Sequence, residues 1–326
     1  MRILHITSGV PSLSNLDYNM TRAYEMINRE SKYKIKVLTY TKRNIPTLLA
    51  KIKQFNPDYV IVFRVSLASS LLSALKQLHI PVGRWVVDDP HRIDKHLARS
   101  KQYDFVITQE ASCVPVYERH HIKGIHGPLA TNENEYYPME VSDHYSSDIC
   151  FIGTPYKNRL TIIDSLADLL KDKKTVIIGP NWNQLKYFSA LQRNIKNQTI
   201  PPHEVAKYYN GAKIVLNLNR PINDVGFNSN KVKATTPNNR TFDIAACQSF
   251  QLTACLKGVE TFYEPNSEII CFQNRHELKE QISYYLEHPT ERNEIADRAY
   301  QRTLRDHTYK VRIESILEQL QSINKK

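Results

Sequence analysis

Short apolar runs alternate with segments of helical length along most of the chain, and this alternation restricts the fold more than any other feature. The N-terminal part has helix-like segments at 19–30, 47–55 and 67–78 between strand-like runs at 1–7, 34–40, 58–65, 82–87 and 103–108. Strands joined through helices run parallel, and the helices then cover both faces of the sheet. Such a sheet binds ligands at the carboxyl ends of its strands.

Residues 127–143 (GPLATNENEYYPMEVSD) lack this periodicity, and we expect them to link two domains. The second series has expected helices at 156–170, 202–209, 236–247 and 275–287 and expected strands at 147–152, 175–178, 214–218, 250–254 and 269–272. The tail from Thr290 is almost wholly helical in pattern. The sequence therefore predicts two α/β domains, 1–143 and 144–304, with a cleft between them.

The charge pattern argues against a nucleic-acid-binding arm. The net charge is +11, and the excess of Lys and Arg is spread over both halves without a basic tail or block. This surplus is compatible with anionic ligands such as nucleotides.

The cysteines and the apolar runs bear on location. The five cysteines are odd in number and show no C-x-x-C spacing, which favours free thiols in a reducing compartment. No apolar run approaches the ~20 residues that a membrane span needs. We therefore expect a cytoplasmic protein without a membrane span.

The stretch TPNNRTFD (236–243) is expected to open a helix. Thr236 suits the N-cap and Pro237 the first helical position. Backbone N–H groups lack partners in the first turn, and the helix dipole is positive there. That turn would contain Asn238, Asn239 and Arg240. It would be an anion site in which Arg240 adds a forked donor for phosphate oxygens.

Asp243 lies three residues after Arg240, on the same helix face and roughly 5–6 Å away. A carboxylate at this distance suits the hydroxyl groups of a ribose whose phosphates lie at the helix terminus. The same spacing fits an Arg240–Asp243 ion pair on a surface helix. The spacing leaves both interpretations open.

The stretch FIGTPYKNR (151–159) resembles a phosphate-binding loop. An expected strand ends at Gly153, and the loop carries Lys157 and Arg159 into a helix, so that backbone amides and basic side chains could cradle a phosphate. Charged residues that only keep a helix end soluble are the alternative.

A polar loop follows the expected strand at 214–218 and leads to the helix at 236. It begins with Asn217 and Arg220 and carries further lysines. We expect it to line the same pocket as the Asn-Asn-Arg helix, with a mobile solvated loop as the alternative.

The stretch RWVVDDPHRID (84–94) places two acids and a histidine after an apolar strand. Asp89 and His91 are candidates for handling the proton of a sugar hydroxyl at a strand's carboxyl end. Asp-Pro-His is also ordinary turn chemistry.

Several motifs are absent from the sequence. It contains no G-x-G-x-x-G, G-x-x-x-x-G-K-[ST], H-E-x-x-H or G-x-S-x-G. There is also no D-x-D pair, and Asp88 and Asp89 are adjacent, so in an extended segment they would point to opposite sides. No metal-ligand set is visible, and we expect no metal and no cofactor.

These stretches together resemble the CgeB-type glycosyltransferases of spore maturation. The similarity is strongest over 236–310, in "TPNNRTFDIAACQSFQLT" and in the later "HP…R…HTY" pattern. "FIGTPYKNR", "YDFVITQE" and "GPLATNENEYYP" match the start of the family's C-domain, its last N-domain strand and its linker.

The resemblance implies a GT-B fold, in which two Rossmann-like domains with parallel sheets face each other and the C-domain holds a nucleotide-sugar without an obligatory metal. The C-terminal helix, 305–326, would cross back and join residues 1–143. Carried over by position, Asn239 and Arg240 would contact the diphosphate, together with Lys157 and Arg159, and Asp243 would bind the ribose.

The chain departs from the family pattern at two positions. Gln248 stands where relatives have a glycine after Ala-Cys, so a left-handed turn there would have to be adopted by glutamine or avoided. Thr235 stands where retaining relatives have the first acid of an E-x7-E pattern.

The resulting functional prediction is a metal-independent glycosyltransferase. It would move a sugar from a nucleoside diphosphate donor, expected to be a UDP-sugar, to a glycan or protein acceptor of the spore surface. A non-catalytic nucleotide- or glycan-binding spore protein and a nucleotide-sugar epimerase are the alternatives.

Overall fold

The computed structural model describes residues 1–7, 9, 15–30, 32–222 and 224–323. The chain forms two compact units. Unit 1 comprises Met1–Leu129, Val225–Thr236 and Tyr309–Lys326, and unit 2 comprises Ala130–Asp224 and Pro237–Thr308.

The first sheet of the chain is a six-stranded parallel sheet in unit 1, with strand order β2-β1-β3-β4-β5-β6. Its strands are β1 (Arg2–Thr7), β2 (Lys34–Thr39), β3 (Tyr59–Phe63), β4 (Val82–Val86), β5 (Phe105–Thr108) and β6 (Lys123–His126). Every residue of β3 is buried, as its continuous apolar run predicts for the middle of a parallel sheet. The five expected strands are confirmed, whereas β6 was missed because KGIH carries little apolar pattern.

Helices connect these strands: α1 (Leu16–Arg29), α2 (Ile45–Phe55), α3 (Ser69–Gln77), α4 (Ile93–Ser100) and α5 (Val114–Arg119). The first three confirm the expected helices. Neither α4 nor α5 was expected, since eight and six residues are too few to show a clear helical period, and each has a proline shortly before it or in its first turn.

Unit 2 contains a second six-stranded parallel sheet, with strand order β12-β11-β10-β7-β8-β9. Its strands are β7 (Ser147–Ile152), β8 (Thr175–Ile178), β9 (Ile195–Lys196), β10 (Ala212–Asn217), β11 (Gln251–Ala254) and β12 (Ile270–Phe272). The expected strands are again confirmed, and the two-residue edge strand β9 was missed.

The helices of unit 2 are α6 (Lys157–Ser165), α7 (Ala167–Lys171), α8 (Phe188–Leu191), α9 (Pro202–Asn210), α10 (Asn239–Ala246), α11 (Arg275–Glu287) and α12 (Pro289–Asp306). The helix expected over 156–170 is divided at Leu166 into α6 and α7. Short 3-10 turns lie at Lys42–Asn44, Ala111–Cys113, Trp182–Gln184, Gln192–Asn194 and Val259–Thr261. No helix in these described stretches is long and apolar enough to span a membrane.

The last helix, α13 (Tyr309–Ile323), returns to unit 1, as the family resemblance implied. It packs against α1, and the Tyr59 hydroxyl donates a 2.9 Å hydrogen bond to the Leu320 carbonyl. The helix starts at Tyr309 and not at 305, because His307 and Thr308 break the tail between α12 and α13.

The observed division of the chain differs from the predicted boundary at 143 in two ways. The break lies at Leu129–Ala130, so most of the expected linker belongs to unit 2. In addition, Val225–Thr236 belongs to unit 1, although the sequence around it belongs to unit 2.

Glu110 holds this returning segment in unit 1. Its side chain is buried and accepts hydrogen bonds from the backbone N–H and hydroxyl groups of Ser112, Thr235 and Thr236, at 2.6–3.4 Å. Asp94 similarly accepts from the backbone and hydroxyl of Ser229. Because these partners are distant in the sequence, local sequence patterns do not predict them.

Helix α10 ends in a left-handed turn at Gln248, where φ is 54°. The N–H groups of Gln248 and Ser249 donate to the carbonyls of Ala245 and Ile244, which is the pattern that usually employs glycine. The glutamine therefore adopts the turn, and its side-chain amide donates to Asp297 at 2.8 Å.

Replacing Glu110 should destabilise unit 1, because Glu110→Ala removes the acceptor of the donors on the half-buried Thr235 and the buried Thr236. We expect a loss of about 3 kcal/mol in the free energy of unfolding. Urea unfolding in a Trp182→Phe background, where Trp85 of unit 1 is the remaining tryptophan, measures it. Glu118→Ala, at an exposed position, is the matched control. Equal stability of the two variants would contradict a stabilising role of the hydrogen bonds to Glu110.

Replacing Gln248 by glycine should stabilise unit 2 by about 0.5–1 kcal/mol, since glycine adopts positive φ without a Cβ penalty. The control is Gln192→Gly, at an exposed position with φ of −56°, which should destabilise instead. Thermal melting of both variants measures the difference. A loss of stability at both positions would show that Gln248 is not strained.

Candidate functional site

The polar groups predicted to bind a ligand in unit 2 meet at the end of β10. The carbonyl oxygen of Leu218, the residue after β10, accepts hydrogen bonds from Arg159 Nε at 3.1 Å and Nη2 at 2.8 Å. It also accepts one from Arg240 Nη2 at 3.0 Å. Two arginines from different helices, α6 and α10, thus share one backbone oxygen.

Both guanidinium groups extend to the neighbouring strand. Arg240 Nη1 donates to the carbonyl of Ile152, the last residue of β7, at 2.9 Å. Arg159 Nη1 donates to the carbonyl of Thr154 at 3.0 Å. The carboxyl ends of two adjacent parallel strands therefore supply the acceptors, where parallel sheets place their ligand sites.

Gly153 makes this approach possible. A Cβ atom at Gly153 would lie 2.6 Å from Arg240 Nη1 and 3.1 Å from Arg159 Nη1. Any larger residue would push the guanidinium groups off the strand end. The glycine that the sequence placed beside the basic loop is thus required by the arginines.

The site accumulates positive charge. Neither Arg159 nor Arg240 forms an ion pair with any residue in the described ranges. Burial, together with the charge of Arg240, lowers the pKa of Arg159 well below its usual range, and burial also lowers the pKa of Arg240. Hydrogen bonds to backbone carbonyls and nearby aromatic rings offset the two charges without an ion pair, which favours an anionic ligand.

A third arginine lies close to Arg159. The Tyr156 ring has the Arg159 guanidinium 4.9 Å from its centroid and the Arg220 guanidinium 5.3 Å from it. Arg220 is also paired with Asp224. Lys157 is exposed in the first turn of α6.

The interpretation of Arg240 and Asp243 as a surface ion pair is wrong. Asp243 is 5% exposed, and its Oδ1 accepts from Thr131 Oγ1 at 3.0 Å while its Oδ2 accepts from Asn239 Nδ2 at 3.1 Å. The following residues of α10 are buried as well. Burial raises the pKa of Asp243 to about 8, although the donors and the charge of Arg240 act in the opposite direction.

Helix α10 starts later than expected. Asn238 is its N-cap and Asn239 its first residue, so the prediction of Thr236 as N-cap is wrong. Thr236 bonds within unit 1 instead, where its hydroxyl accepts from the Ala111 N–H at 3.0 Å. The tertiary partners of Thr236 outweigh its local capping preference.

The predicted Asn217 lies inside a network of amides. It is fully buried, and its Nδ2 donates to Thr241 Oγ1 at 2.9 Å and to Gln251 Oε1 at 3.0 Å. Its Oδ1 accepts from Asn238 Nδ2 at 3.1 Å. Asn217 therefore joins β10, β11 and α10, and no local sequence pattern indicates Thr241 and Gln251 as its partners.

The base candidates lie in unit 1, in the turn after β4. Asp89 is 1% exposed, with Oδ1 2.6 Å from His96 Nδ1 and Oδ2 accepting from the hydroxyls of Thr108 and Tyr117 at 2.7 and 2.9 Å. His91 is also buried. Their base role stays a prediction, and Asp89 would have to leave these partners to serve it.

No cluster of three or more His, Cys, Asp or Glu side chains in the described part of the chain could hold a metal ion.

Comparison with known sequences identifies relatives of this chain. A family model described as glycosyl transferase-like matches residues 159–318. The spore protein CgeB of Bacillus subtilis (strain 168) is 30% identical over 319 residues, which cover 95% of each chain.

Comparison with solved structures agrees on the architecture. A glycosyltransferase from Rickettsia africae ESF-5 has a TM-score of 0.66 at 13% identity, covering 100% of this chain and 99% of that one. Anabaena HepE in complex with UDP has a TM-score of 0.62 at 12% identity, covering 99% and 100%. Sucrose-phosphate synthase from Thermosynechococcus elongatus has 0.60 at 12% identity, covering 99% of each. The expected GT-B fold, built from two Rossmann-like halves, is confirmed.

The raised pKa of Asp243 gives unit 2 a predicted pH dependence. The folded state keeps this proton up to about pH 8, whereas the unfolded chain releases it near 4, so stability should fall as pH rises between these values. The slope is at most about 1.4 kcal/mol per pH unit. Asp243→Asn should remove it, because the amide carries no charge at any pH.

Urea unfolding at pH 5, 6, 7 and 8 tests this in a Trp85→Phe background, where Trp182 of unit 2 is the remaining tryptophan. The exposed Asp172→Asn is the control and should retain the slope. An unchanged slope in Asp243→Asn would show that Asp243 is ionised in the folded state.

Proposed function

The chain belongs to the CgeB-type glycosyltransferase family, and from this premise we propose that it transfers a sugar from a UDP-sugar to a glycan or protein acceptor. The observation that carries the proposal is the pair of neighbouring guanidinium groups of Arg159, which is buried, and Arg240, which is half-buried, neither with a carboxylate partner among the described residues. A diphosphate is the anion that suits two forked donors and a helix N-terminus.

In the proposed reaction the diphosphate is the leaving group. Negative charge develops on it as the bond to the sugar breaks, and Arg159, Arg240 and the first turn of α10 would stabilise that charge. Gly153 lets the guanidinium groups lie at the strand ends. Lys157, Asn239 and Arg220 are proposed as further phosphate contacts, because they lie in or beside the first turns and loop that carry the two arginines.

Asp243 is the proposed ribose acceptor. Its two oxygens now accept from Thr131 and Asn239. Ribose hydroxyls can donate to these oxygens in place of Thr131 and Asn239, and they can also accept the proton that Asp243 carries below about pH 8.

The uridine base is proposed by analogy, since the similarly folded HepE has been determined with UDP and with UDP-glucose. The proposed mechanism requires no metal ion, because arginines supply the positive charge. His91 and Asp89 are the proposed base candidates for the acceptor hydroxyl. A role at the spore surface is proposed from the name of the Bacillus subtilis relative.

Replacing Arg240 should separate phosphate from nucleoside binding. We expect Arg240→Ala to weaken UDP binding by about 10- to 100-fold, since it removes a charged hydrogen-bond donor. Uridine has no phosphate, so its affinity should change by less than about twofold, which is less than the loss of a charged hydrogen bond would cause. Isothermal titration calorimetry with UDP and uridine measures both.

Two further variants sharpen this experiment. Arg275→Ala removes an exposed arginine from the first turn of another helix, α11, and should leave UDP binding unchanged. Arg240→Lys keeps the charge and should recover part of the affinity. Equal loss of UDP and uridine in Arg240→Ala, or no loss of either, would contradict the phosphate role.

Turnover distinguishes transfer from the two alternatives. Incubation with UDP-sugars and glycan acceptors, with and without EDTA, should release UDP in both conditions. Binding of UDP without any release would favour the non-catalytic protein, and conversion of one UDP-sugar into another would favour the epimerase.

A further inference from the structure

Two side-chain amides at the end of β10 have an acceptor oxygen that lacks a partner. Asn158 Oδ1 and Asn238 Oδ1 are enclosed, and neither accepts a hydrogen bond from any described residue. Asn158 is the second residue of α6 and Asn238 is the N-cap of α10, so both lie beside the arginines. An enclosed acceptor without a donor costs free energy, so these two atoms require explanation.

The orientation of the Asn238 amide follows from a relay of hydrogen bonds. Gln251 Nε2 donates to the Thr241 carbonyl at 2.9 Å, so Gln251 Oε1 is left to accept from Asn217 Nδ2 at 3.0 Å. Asn217 must then present its oxygen to Asn238, whose Nδ2 donates to it at 3.1 Å. The Asn238 oxygen is therefore the atom left over.

Asn219 fixes the same orientation independently and adds Asn158. Asn219 Nδ2 donates to the Ala254 carbonyl at 3.1 Å, so its Oδ1 accepts from Asn238 Nδ2 at 3.3 Å. The backbone carbonyl of Asn219 accepts from Asn158 Nδ2 at 2.9 Å. Turning either amide round would place oxygen against oxygen, so the oxygen of each amide is the atom left to accept from a ligand.

The chemistry of the missing partner follows from its surroundings. Phosphate oxygens at neutral pH cannot supply donors to the two amides, so the phosphates belong with the arginines. A cation is disfavoured, because Arg159 follows Asn158 directly and Arg240 is two residues after Asn238. Neutral hydroxyl groups meet both conditions, since they donate and carry no charge.

We infer that Asn158 and Asn238 bind hydroxyl groups of the sugar in the nucleotide-sugar, an inference that rests on the proposed function. Both residues are half-buried, and the two enclosed amide oxygens are the atoms that we assign to the sugar hydroxyls. The arginines then bind the diphosphate, which all nucleotide-sugars share, and the two amides recognise the sugar. The hydroxyls of different sugars differ in number and direction, so the amide pair determines donor choice.

Calorimetric titration with UDP, UDP-glucose, UDP-galactose and UDP-N-acetylglucosamine tests this inference. The wild type should bind at least one UDP-sugar more tightly than UDP. In Asn158→Ala that advantage should shrink about three- to tenfold, as expected for one lost hydrogen bond, while UDP affinity stays unchanged. The matched control is Asn194→Ala, which also removes a bond from Nδ2 to a carbonyl, that of Thr175, at 3.2 Å.

A second measurement needs no variant. Removing from the UDP-sugar the hydroxyl that contacts Asn158 should weaken binding to the wild type about three- to tenfold, as the loss of one hydrogen bond predicts. The same deletion should have no further effect in Asn158→Ala, because the two changes remove one interaction.

Three results would overturn the inference and leave the nucleotide site standing. In the first, UDP-sugars bind the wild type no more tightly than UDP. In the second, Asn158→Ala weakens UDP and UDP-sugar binding equally. In the third, EDTA abolishes the tighter binding of the UDP-sugar, which would indicate a cation at the amides. A wild type that binds neither UDP nor UDP-sugar would overturn the proposed function itself and the inference with it.

Discussion

The carbonyl oxygen of Leu218 is the acceptor on which the site of unit 2 depends. Arg159 and Arg240 both donate to it, and this single contact fixes two helix N-termini against the end of one strand. Two buried like charges repel each other, and carbonyl dipoles offset that repulsion only in part. Gly153 must lack a side chain for the arrangement to form. Under the proposed function, this positive charge is already in place before the diphosphate binds.

The buried acidic side chains have partners other than the arginines of the site. Glu110, Asp89 and Asp243 accept hydrogen bonds from hydroxyl, backbone N–H, side-chain amide or imidazole groups, and no arginine in the described part of the chain donates to them. Each acid stabilises a turn, a returning segment or a helix of its own unit. The acids therefore do not neutralise Arg159 and Arg240. Pairing these acids with the arginines would occupy guanidinium donors that the proposed phosphate site needs.

The departures from the family pattern have local solutions. Gln248 adopts the left-handed turn that glycine would make more easily, and its amide gains a partner in Asp297. Thr235 takes the position that the family resemblance gives to an acid in retaining relatives, and here its N–H and hydroxyl donate to the buried Glu110. Neither change disturbs α10, because its N-terminus is held by the amide network around Asn217 and not by residues 235–236.

The sequence by itself determined the two parallel sheets, most of their strands and the strand ends where the ligand groups gather, because periodicity and strand–helix alternation are local properties. It also pointed to Gly153, Arg159 and Arg240, which follow strands or open helices. Only the tertiary structure decided that Val225–Thr236 returns to unit 1, that α10 begins at Asn239, and that the surface ion pair does not form. The partners in those cases are distant in sequence, such as Glu110 for Thr236 and Thr131 for Asp243. A hydrogen bond between distant residues depends on the whole fold, so no local pattern can reveal it.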